Sequence, residues 1–267
     1  EYLQGRTPNP CIACNRRVKW EALLARGRAI GADYLATGHY ARIDKLDNGR
    51  YALKRAAVPG KDQTYALYNL TQEQLSHTMM PVGAYSKEEI RSIAEKIGLQ
   101  VAKKPDSQDI CFVPDGDYAA YIEKNAGREI PDGNFVSTDG KILGRHKGIT
   151  HYTVGQRKGL GLALGYPAFV LEIRPRTNEV VVGTHEESLV HTLRANQLNF
   201  MALEDITKPL RVFAKIRYNH KGAWCTVERS GEDEVHCTFD EAQRAVTPGQ
   251  AVVFYDGDYV VGGGTIL

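Results

Sequence analysis

The patterning of this chain changes character near residue 117, and that change restricts it to a composite of an α/β part and β parts. Before it, apolar residues fall at helical spacing. From Arg16 to Ala32 these are Val18, Trp20, Leu23, Leu24 and Ile30, with Gly31 as a stop. Asp33 to Tyr40 then reads as a short strand ending in small residues that let a backbone approach a ligand. Tyr51-Ala52-Leu53-Lys54-Arg55 reads as a strand paired through the turn Asp47-Asn48-Gly49. Thr64 to Leu70 and Thr71 to Met80 read as helical. Ser86 to Gly98 reads as an amphipathic helix. Ser86 caps it, Glu89 completes the capping box, and Ile90, Ile93 and Ile97 form the stripe expected to be buried.

Beyond residue 117 the chain offers one short helix, Tyr118 to Asn125, and then short β-like runs separated by glycine. These are Phe135-Val136, Lys141 to Leu143, Phe169 to Ile173 and Asn178 to Gly183. In the last third they are Leu210 to Tyr218, Gly222 to Arg229, Glu234 to Phe239 and Gln250 to Phe254. Regular short strands of this kind build a small barrel or sandwich. At 267 residues the chain suits two or three domains. The boundaries expected are 1–117 for the α/β part, 118–193 for a small mixed central domain and 194–267 for a C-terminal β-barrel.

Composition narrows the function classes. Apolar residues make up 42% of the chain, enough for ordinary cores. No run of about 18 apolar residues occurs, so a helical membrane span is not expected. The net charge is +2, so bulk charge does not announce nucleic acid. Local basic stretches do occur, at Arg16-Arg17, Lys103-Lys104, Arg145-His146-Lys147, Arg157-Lys158 and Lys215 to Lys221. Interleaved with Tyr152, Tyr218 and Trp224, they suit a phosphate-rich partner. Five cysteines in a chain this long do not make a disulfide scaffold.

The cysteines divide into two kinds. Cys225 and Cys237 lie in β runs and read as small buried hydrophobes. Cys11 and Cys14 form a Cys-x-x-Cys pair after Thr7-Pro8-Asn9-Pro10, where a helix begins and two arginines follow. Both features favour the thiolate. Cys111 follows the polar run Asp106-Ser107-Gln108-Asp109. Three thiols suit sulfur chemistry, a metal or a cluster. Structural zinc wants four ligands, so His39 would have to join them. An iron–sulfur cluster with one open iron would need only the three. His39 ends the short strand beside Gly38 and reads as a binding-site candidate. Lys61-Asp62-Gln63 sits in a turn after Pro59-Gly60. Gly155-Gln156-Arg157-Lys158-Gly159-Leu160-Gly161 looks like a phosphate-cradling loop but lacks the Walker pattern.

Taken in order, these segments resemble a known family. They are Gly5-Arg6-Thr7-Pro8-Asn9-Pro10-Cys11-x-x-Cys14-Asn15, Ala36-Thr37-Gly38-His39-Tyr40, Lys61-Asp62-Gln63, Asp106-Ser107-x-x-Ile110-Cys111-Phe112, the Gly155 to Gly161 run and Thr247-Pro248-Gly249-Gln250. The series resembles the MnmA/TrmU family of tRNA-uridine 2-sulfurtransferases, from Gly5 to Gly264. The resemblance implies a cytoplasmic enzyme that makes 2-thiouridine at the wobble position of tRNA, using ATP and Mg²⁺ to adenylate the base and a cysteine persulfide to supply sulfur. It also implies that residues 1–117 are the C-terminal portion of an adenine-nucleotide hydrolase-like (PP-loop) Rossmann-type domain. Carried over residue by residue, Cys14 matches the nucleophile and Cys111 the persulfide carrier. The two would end as a disulfide that an external reductant opens. Asn9, Pro10 and Cys11 match the segment touching the target base, and Gly38 matches a position near ATP. His39, Lys61, Asp62, Gln63, Arg217, Tyr218 and Gln250 match tRNA contacts. A persulfide donor or relay protein is the implied partner beside tRNA.

Two departures from the family pattern stand out. The family's Ser-Gly-Gly-x-Asp-Ser phosphate loop does not occur here, and Glu1 opens abruptly into what reads as the interior of a domain. By the family pattern about a hundred residues of the α/β domain precede this point. The chain alone is therefore expected not to adenylate a base. Many members also carry an acid where this chain has Cys11, which keeps a [4Fe-4S] cluster on Cys11, Cys14 and Cys111 open as a second route. A tRNA-binding module without catalysis is the expectation from another class. A thiol oxidoreductase built on Cys-x-x-Cys alone would leave Cys111 unexplained.

Overall fold

Six strands of the C-terminal third close into a barrel in the computed structural model, which describes residues 1–103, 111, 113, 116–127 and 129–267. The strands are Leu189–Phe200, Leu210–Lys215, Ala223–Gly231, Glu234–Arg244, Ala251–Asp256 and Tyr259–Ile266. Ring closure comes from Ala251–Asp256, which pairs antiparallel with both Leu210–Lys215 and Tyr259–Ile266. Alternation explains the core. Val212, Ala214 and Ile216 point inward, as do Cys225 and Val227, and Val235, Cys237 and Phe239. Cys225 and Cys237 are the small buried hydrophobes expected, both free thiols. Two barrel strands, Leu189–Phe200 and Tyr259–Ile266, were not among the expected runs. The first is exposed along much of its length, and the second is bounded by Asp256-Gly257-Asp258 and interrupted by three glycines.

The hairpin Ala41–Lys45 and Tyr51–Arg55 forms as expected, with Asp44 opposite Ala52. It does not pair with the short parallel strands, however, but joins the barrel sheet, Lys54 lying opposite Tyr259. Its Arg50 donates from Nε to Met201 O (2.8 Å) and from Nη2 to Phe200 O (3.0 Å). One apolar core therefore runs from Trp20, Leu53, Tyr65 and Leu75 to Met201, Val253 and Val260.

The central part is a four-stranded sheet. Gly133–Val136 pairs antiparallel with Ile142–His146 and parallel with Glu179–Gly183, which pairs in turn with Phe169–Arg174. Its helix Tyr118–Ala126 is capped by Asp117, whose Oδ1 accepts from Ala120 N–H at 2.9 Å. The Gly155 to Gly161 run serves as a seam rather than a free loop. Gly155 N–H donates to Val170 O (2.7 Å), and a Cβ on Gly155 would stand 2.2 Å from that of Ala245 in the barrel segment.

The α/β part departs most from expectation. The helical run starts at Pro10, before Cys11, and continues through Pro10–Ala13, Cys14–Leu23 and Leu24–Ala29. The predicted strand over residues 33–40 shrinks to Leu35–Ala36. It pairs parallel with Thr78–Met79, which had been read as the end of a helix. The segments read as helices over residues 64–80 reduce to Thr64–Leu67 and Gln72–Ser76. Helix Lys87–Lys96 has the predicted capping box, with Ser86 N–H donating to Glu89 Oε2 at 2.6 Å. Its stripe, however, is not buried. Ile97 is 66% exposed, and in the thiol-bearing run Val18 is 58% and Ile30 80% exposed. The described residues give these faces only two short parallel strands to pack on. No helix among the described residues is long and apolar enough to cross a membrane.

Candidate active site

Asn9 and Pro10 build the platform for the first two thiols. Asn9 sits in an extended conformation with φ −101° and ψ 102°, and its Oδ1 accepts from Cys11 N–H (3.1 Å) and Ile12 N–H (3.3 Å). Pro10 occupies the first helical position, where its missing N–H costs nothing. From Cys14 to Leu23 the helix widens to i→i+5 bonding, a geometry often found at functional sites. Residues five apart then share a face. Arg16 Nε reaches Glu21 Oε1 at 3.0 Å, so Arg16 is paired with an acid. By the same spacing Lys19 lies on the face of Cys14.

Lys19 is the residue that motif reading missed. Its Nζ donates to Asn15 Oδ1 (2.8 Å) and contacts His39 Nε2 (3.2 Å). Asn15 is buried and donates to Ala66 O at 2.9 Å, so it is held in place. An ammonium has only donors, so Nε2 of His39 accepts and the ring proton resides on Nδ1. That nitrogen lies 3.0 Å from Thr37 Oγ1 and donates to it. Burial and then the neighbouring Lys19 push the His39 imidazole down to about 4, so it is neutral at physiological pH. The signal for Lys19 was its spacing of five from Cys14, which becomes informative only once the wide helix is known.

Cys11, Cys14 and Cys111 are all free thiols, Cys11 and Cys111 exposed and Cys14 partly so. Cys111 and Cys14 both lie within electrostatic reach of Cys11. Cys11 is pushed above the ordinary thiol value by burial first, then by Cys111 and Cys14, while Lys19 opposes the rise. This corrects the expectation that the helix start and the adjacent arginines would favour the Cys11 thiolate. Desolvation and two like charges outweigh them. The motif preceding Cys111 (residues 106–110) and residue 112 lie outside the described residues. Among the described residues, no three His, Cys, Asp or Glu side chains are grouped as a metal-binding set.

The Lys61-Asp62-Gln63 turn meets the barrel here. Tyr218 donates from its hydroxyl to Asp62 O at 3.3 Å, and its ring stands edge-on to Tyr65 at 6.1 Å. Burial first and then Asp62 raise the Tyr218 phenol, Lys61 opposes the rise, and Cys11 adds a smaller one. The side chains of Asp62 and Gln63 are committed to structure. Asp62 accepts from Ala56 N–H (3.1 Å) and Thr64 Oγ1 (2.7 Å). Gln63 Oε1 accepts from Tyr40 N–H (2.9 Å), while Gln63 N–H donates to Tyr40 O (2.9 Å), pinning the segment that carries His39. Gln250 donates to Thr7 O (2.8 Å) and so anchors the lead-in to Asn9. Arg217 Nη1 donates to Arg244 O at 3.1 Å. Gly38 is exposed, and a Cβ there would meet no described atom within 4 Å.

Comparison with known proteins bears on the whole chain. Three family models match in succession. A tRNA methyl transferase HUP domain covers residues 1–115, a tRNA methyl transferase PRC-barrel domain residues 119–184, and an aminomethyltransferase β-barrel domain residues 190–266. Three similar curated proteins are each named tRNA-specific 2-thiouridylase MnmA. The one from Lachnoclostridium phytofermentans is 66% identical over 267 residues, spanning all of this chain and 75% of the relative. Those from Clostridioides difficile and Acetivibrio thermocellus are 55% and 56% identical, each over all of this chain and 74% of the relative.

Proposed function

From the premise that the chain belongs to the MnmA family of tRNA-specific 2-thiouridylases, we propose that it takes part in 2-thiolation of the wobble uridine of tRNA, with Cys14 and Cys111 as the reacting thiols. The observation that carries this reading is that Cys11, Cys14 and Cys111 are free thiols and that Cys111 and Cys14 both act electrostatically on Cys11, opposed by Lys19. In this reading residues 1–117 are the C-terminal portion of a PP-loop nucleotide-binding domain. ATP with Mg²⁺ supplies the adenylation that turns the C2 oxygen into an AMP leaving group. The sequence holds no Ser-Gly-Gly-x-Asp-Ser loop, and open space beside Gly38 is what this chain offers a nucleotide.

The work of this chain's residues begins after activation. A persulfide on Cys111, loaded by an external donor, attacks C2 through its terminal sulfur, and AMP leaves with the former oxygen. The Cys14 thiolate then attacks the Cys111 sulfur. The S–S bond of the persulfide breaks, the electron pair stays with the sulfur on C2, and 2-thiouridine is released. Cys14 and Cys111 are left as a disulfide, which an external reductant opens. Lys19 lies on the Cys14 face of the helix, held there by Asn15 and His39. Because His39 is neutral and accepts from Lys19, it holds that ammonium without adding a competing charge.

The test is thiolation of wobble-uridine tRNA with ATP, Mg²⁺ and a persulfide donor, by this chain joined to a segment that carries the family's Ser-Gly-Gly-x-Asp-Ser phosphate loop. Cys111→Ser and Cys14→Ser are each expected to abolish 2-thiouridine while leaving tRNA binding intact. Retained activity in Cys111→Ser would sink the persulfide role. Two other outcomes define the competing readings. Wild type that, even joined to the phosphate-loop segment, binds tRNA without thiolating it is a binding module. Iron and sulfide bound after anaerobic reconstitution, and lost in Cys11→Ala, would mark a [4Fe-4S] route. Among the described residues the three thiols do not form a grouped metal-binding set.

A further inference from the structure

The lead-in Thr7-Pro8-Asn9-Pro10 is stiff by composition, and its first residue is gripped by the barrel. Proline fixes its own φ at about −65° and holds the residue before it in extended backbone. Pro8 and Pro10 therefore restrict all four residues, with Thr7 and Asn9 in the positions before proline. Asn9 has the extended torsions this demands, φ −101° and ψ 102°. At Pro10 the helical run that carries Cys11 and Cys14 begins. The segment is a short strut with the thiols beyond its far end.

The grip is the turn Thr247 to Gln250, which leads into the barrel strand Ala251–Asp256. Thr7 N–H donates to Pro248 O (2.8 Å), and Gln250 Nε2 donates to Thr7 O (2.8 Å), so one turn takes both backbone groups of Thr7. Gly249 closes the fit. Its φ is +89°, and a Cβ there would stand 3.1 Å from Thr7 N and 3.2 Å from Arg6 Cβ. The turn is itself fixed to the last barrel strand. Gly249 N–H donates to Ile266 O (2.9 Å), and Ile266 N–H donates to Gln250 O (2.8 Å). Thr247 Oγ1 donates to Val154 O of the central part at 3.2 Å. Two residues before Thr7, a Cβ on Gly5 would stand 2.9 Å from Ile173 O in the central sheet. Barrel and central sheet thus both close on the start of the strut.

A gripped end and a stiff link have a mechanical consequence. We infer that Thr7 to Pro10 is a strut through which the barrel positions the thiol helix, with Gln250 and Pro8 as positioning residues that act on Cys14 through the Asn9 cap. A shift of the Thr247 to Gln250 turn passes to the helix start, because no freely rotating residue lies between. The inference takes Cys14 as a working thiol and in that respect rests on the proposed function. Its test reads thiol reactivity and does not require thiolation.

The test is alkylation of the 267-residue chain with iodoacetamide under native conditions, read by mass spectrometry at each cysteine. Gln250→Leu removes the donor to Thr7 O, and Pro8→Gly softens the strut. Each is expected to raise the rate of the partly covered Cys14 about fivefold relative to that of Cys111. The double variant should match the single variants and not multiply them, since a soft strut transmits nothing from the grip. Cys225 and Cys237, buried in the barrel, report its opening and should stay unlabelled. A Cys14 rate within about twofold of wild type in both single variants overturns the inference, and so does a double variant whose effects multiply. Labelling of Cys225 and Cys237 in step with Cys14 assigns the change to an opened barrel and overturns it as well. Should Gln250→Leu lose the wild-type unfolding transition, Gln250→Glu, which keeps the length and lacks the donor, takes its place in the cycle. Thiolation that fails while Cys14 responds as expected sinks the functional reading alone. An active enzyme with an indifferent Cys14 sinks the strut alone.

Discussion

Ile216 and Ile97 are the same residue type in opposite situations. Ile216 is 0% exposed inside the barrel, and Ile97 is 66% exposed at the end of an amphipathic helix. The barrel closes on itself, so each inward side chain meets another across the ring. In the α/β part the helical runs leave apolar faces bare among the described residues, and the only sheet of that part's own is two short strands. Local sequence rules were obeyed in both places. The difference is whether a second layer exists for the apolar face to meet. Cys11 and Cys14 sit on the boundary, on a helical run whose inner face, Trp20 and Leu24, is packed and whose outer face is not.

That contrast makes its strongest prediction in the barrel. Ile216→Ala is expected to lower stability by about 2–5 kcal/mol in urea unfolding, because the closed ring cannot collapse onto the hole. A loss below about 1 kcal/mol would show that the barrel core is looser than its burial indicates.

The contrast also explains what could be read beforehand. The capping box at Ser86 and Glu89, the hairpin around Asn48-Gly49 and the short helix from Tyr118 are local and were legible from residue type and spacing. The burial of the Ile90, Ile93 and Ile97 stripe was not, since periodicity says which face is apolar and nothing about what covers it. Motif spacing brought Cys11, Cys14 and Cys111 forward as one set. It could not find Lys19, whose relation to Cys14 depends on i→i+5 bonding. Nor could it tell Gln63 and Gln250, which brace backbone at Tyr40 and Thr7, from residues that point outward.

The second prediction concerns pH and spans both regions. His39 beside the thiols and His220 beside the barrel loop are each pushed down to about 4, by burial first and then by Lys19 and Arg217 respectively. Unfolded histidine titrates near 6.5. Between about pH 6.5 and 4 the unfolded chain therefore binds the more protons, and stability falls as pH drops through that window. Above 6.5 these two groups contribute no slope. Each accounts for a loss on the order of 2 kcal/mol by pH 4. Urea midpoints measured from pH 7.5 to 4.5 should flatten in His39→Gln and His220→Gln. An unchanged slope in both would mean that neither imidazole is held neutral.

Smaller still is the cap beneath the thiols. Asn9→Ala removes the acceptor for Cys11 and Ile12 N–H groups and is expected to cost about 1 kcal/mol. It should also change the rate at which Cys11 reacts with an alkylating reagent more than the rate of Cys111. Equal changes at both thiols would mean that the cap acts on general stability and not on the placement of Cys11.

The smallest stability effect belongs to the bare face. Ile93 and Ile97 lie on helix turns whose described neighbours do not cover them, so replacing them with lysine removes little packing. Ile97→Lys and Ile93→Lys are expected to leave the urea midpoint within about 0.5 kcal/mol of wild type. They should instead act on association. Val18, Ile30, Met79 and Ile97 leave apolar surface open on the same α/β part, and open apolar surface drives soluble chains together. Sedimentation of the 267-residue chain over a concentration series should show self-association that Ile97→Lys reduces and Ile216→Ala does not. A destabilisation of Ile97→Lys comparable to that of Ile216→Ala would erase the distinction between a closed barrel and an open α/β layer. Unchanged sedimentation with unchanged stability would mean that the apolar residues on this face are too dispersed to act as a patch.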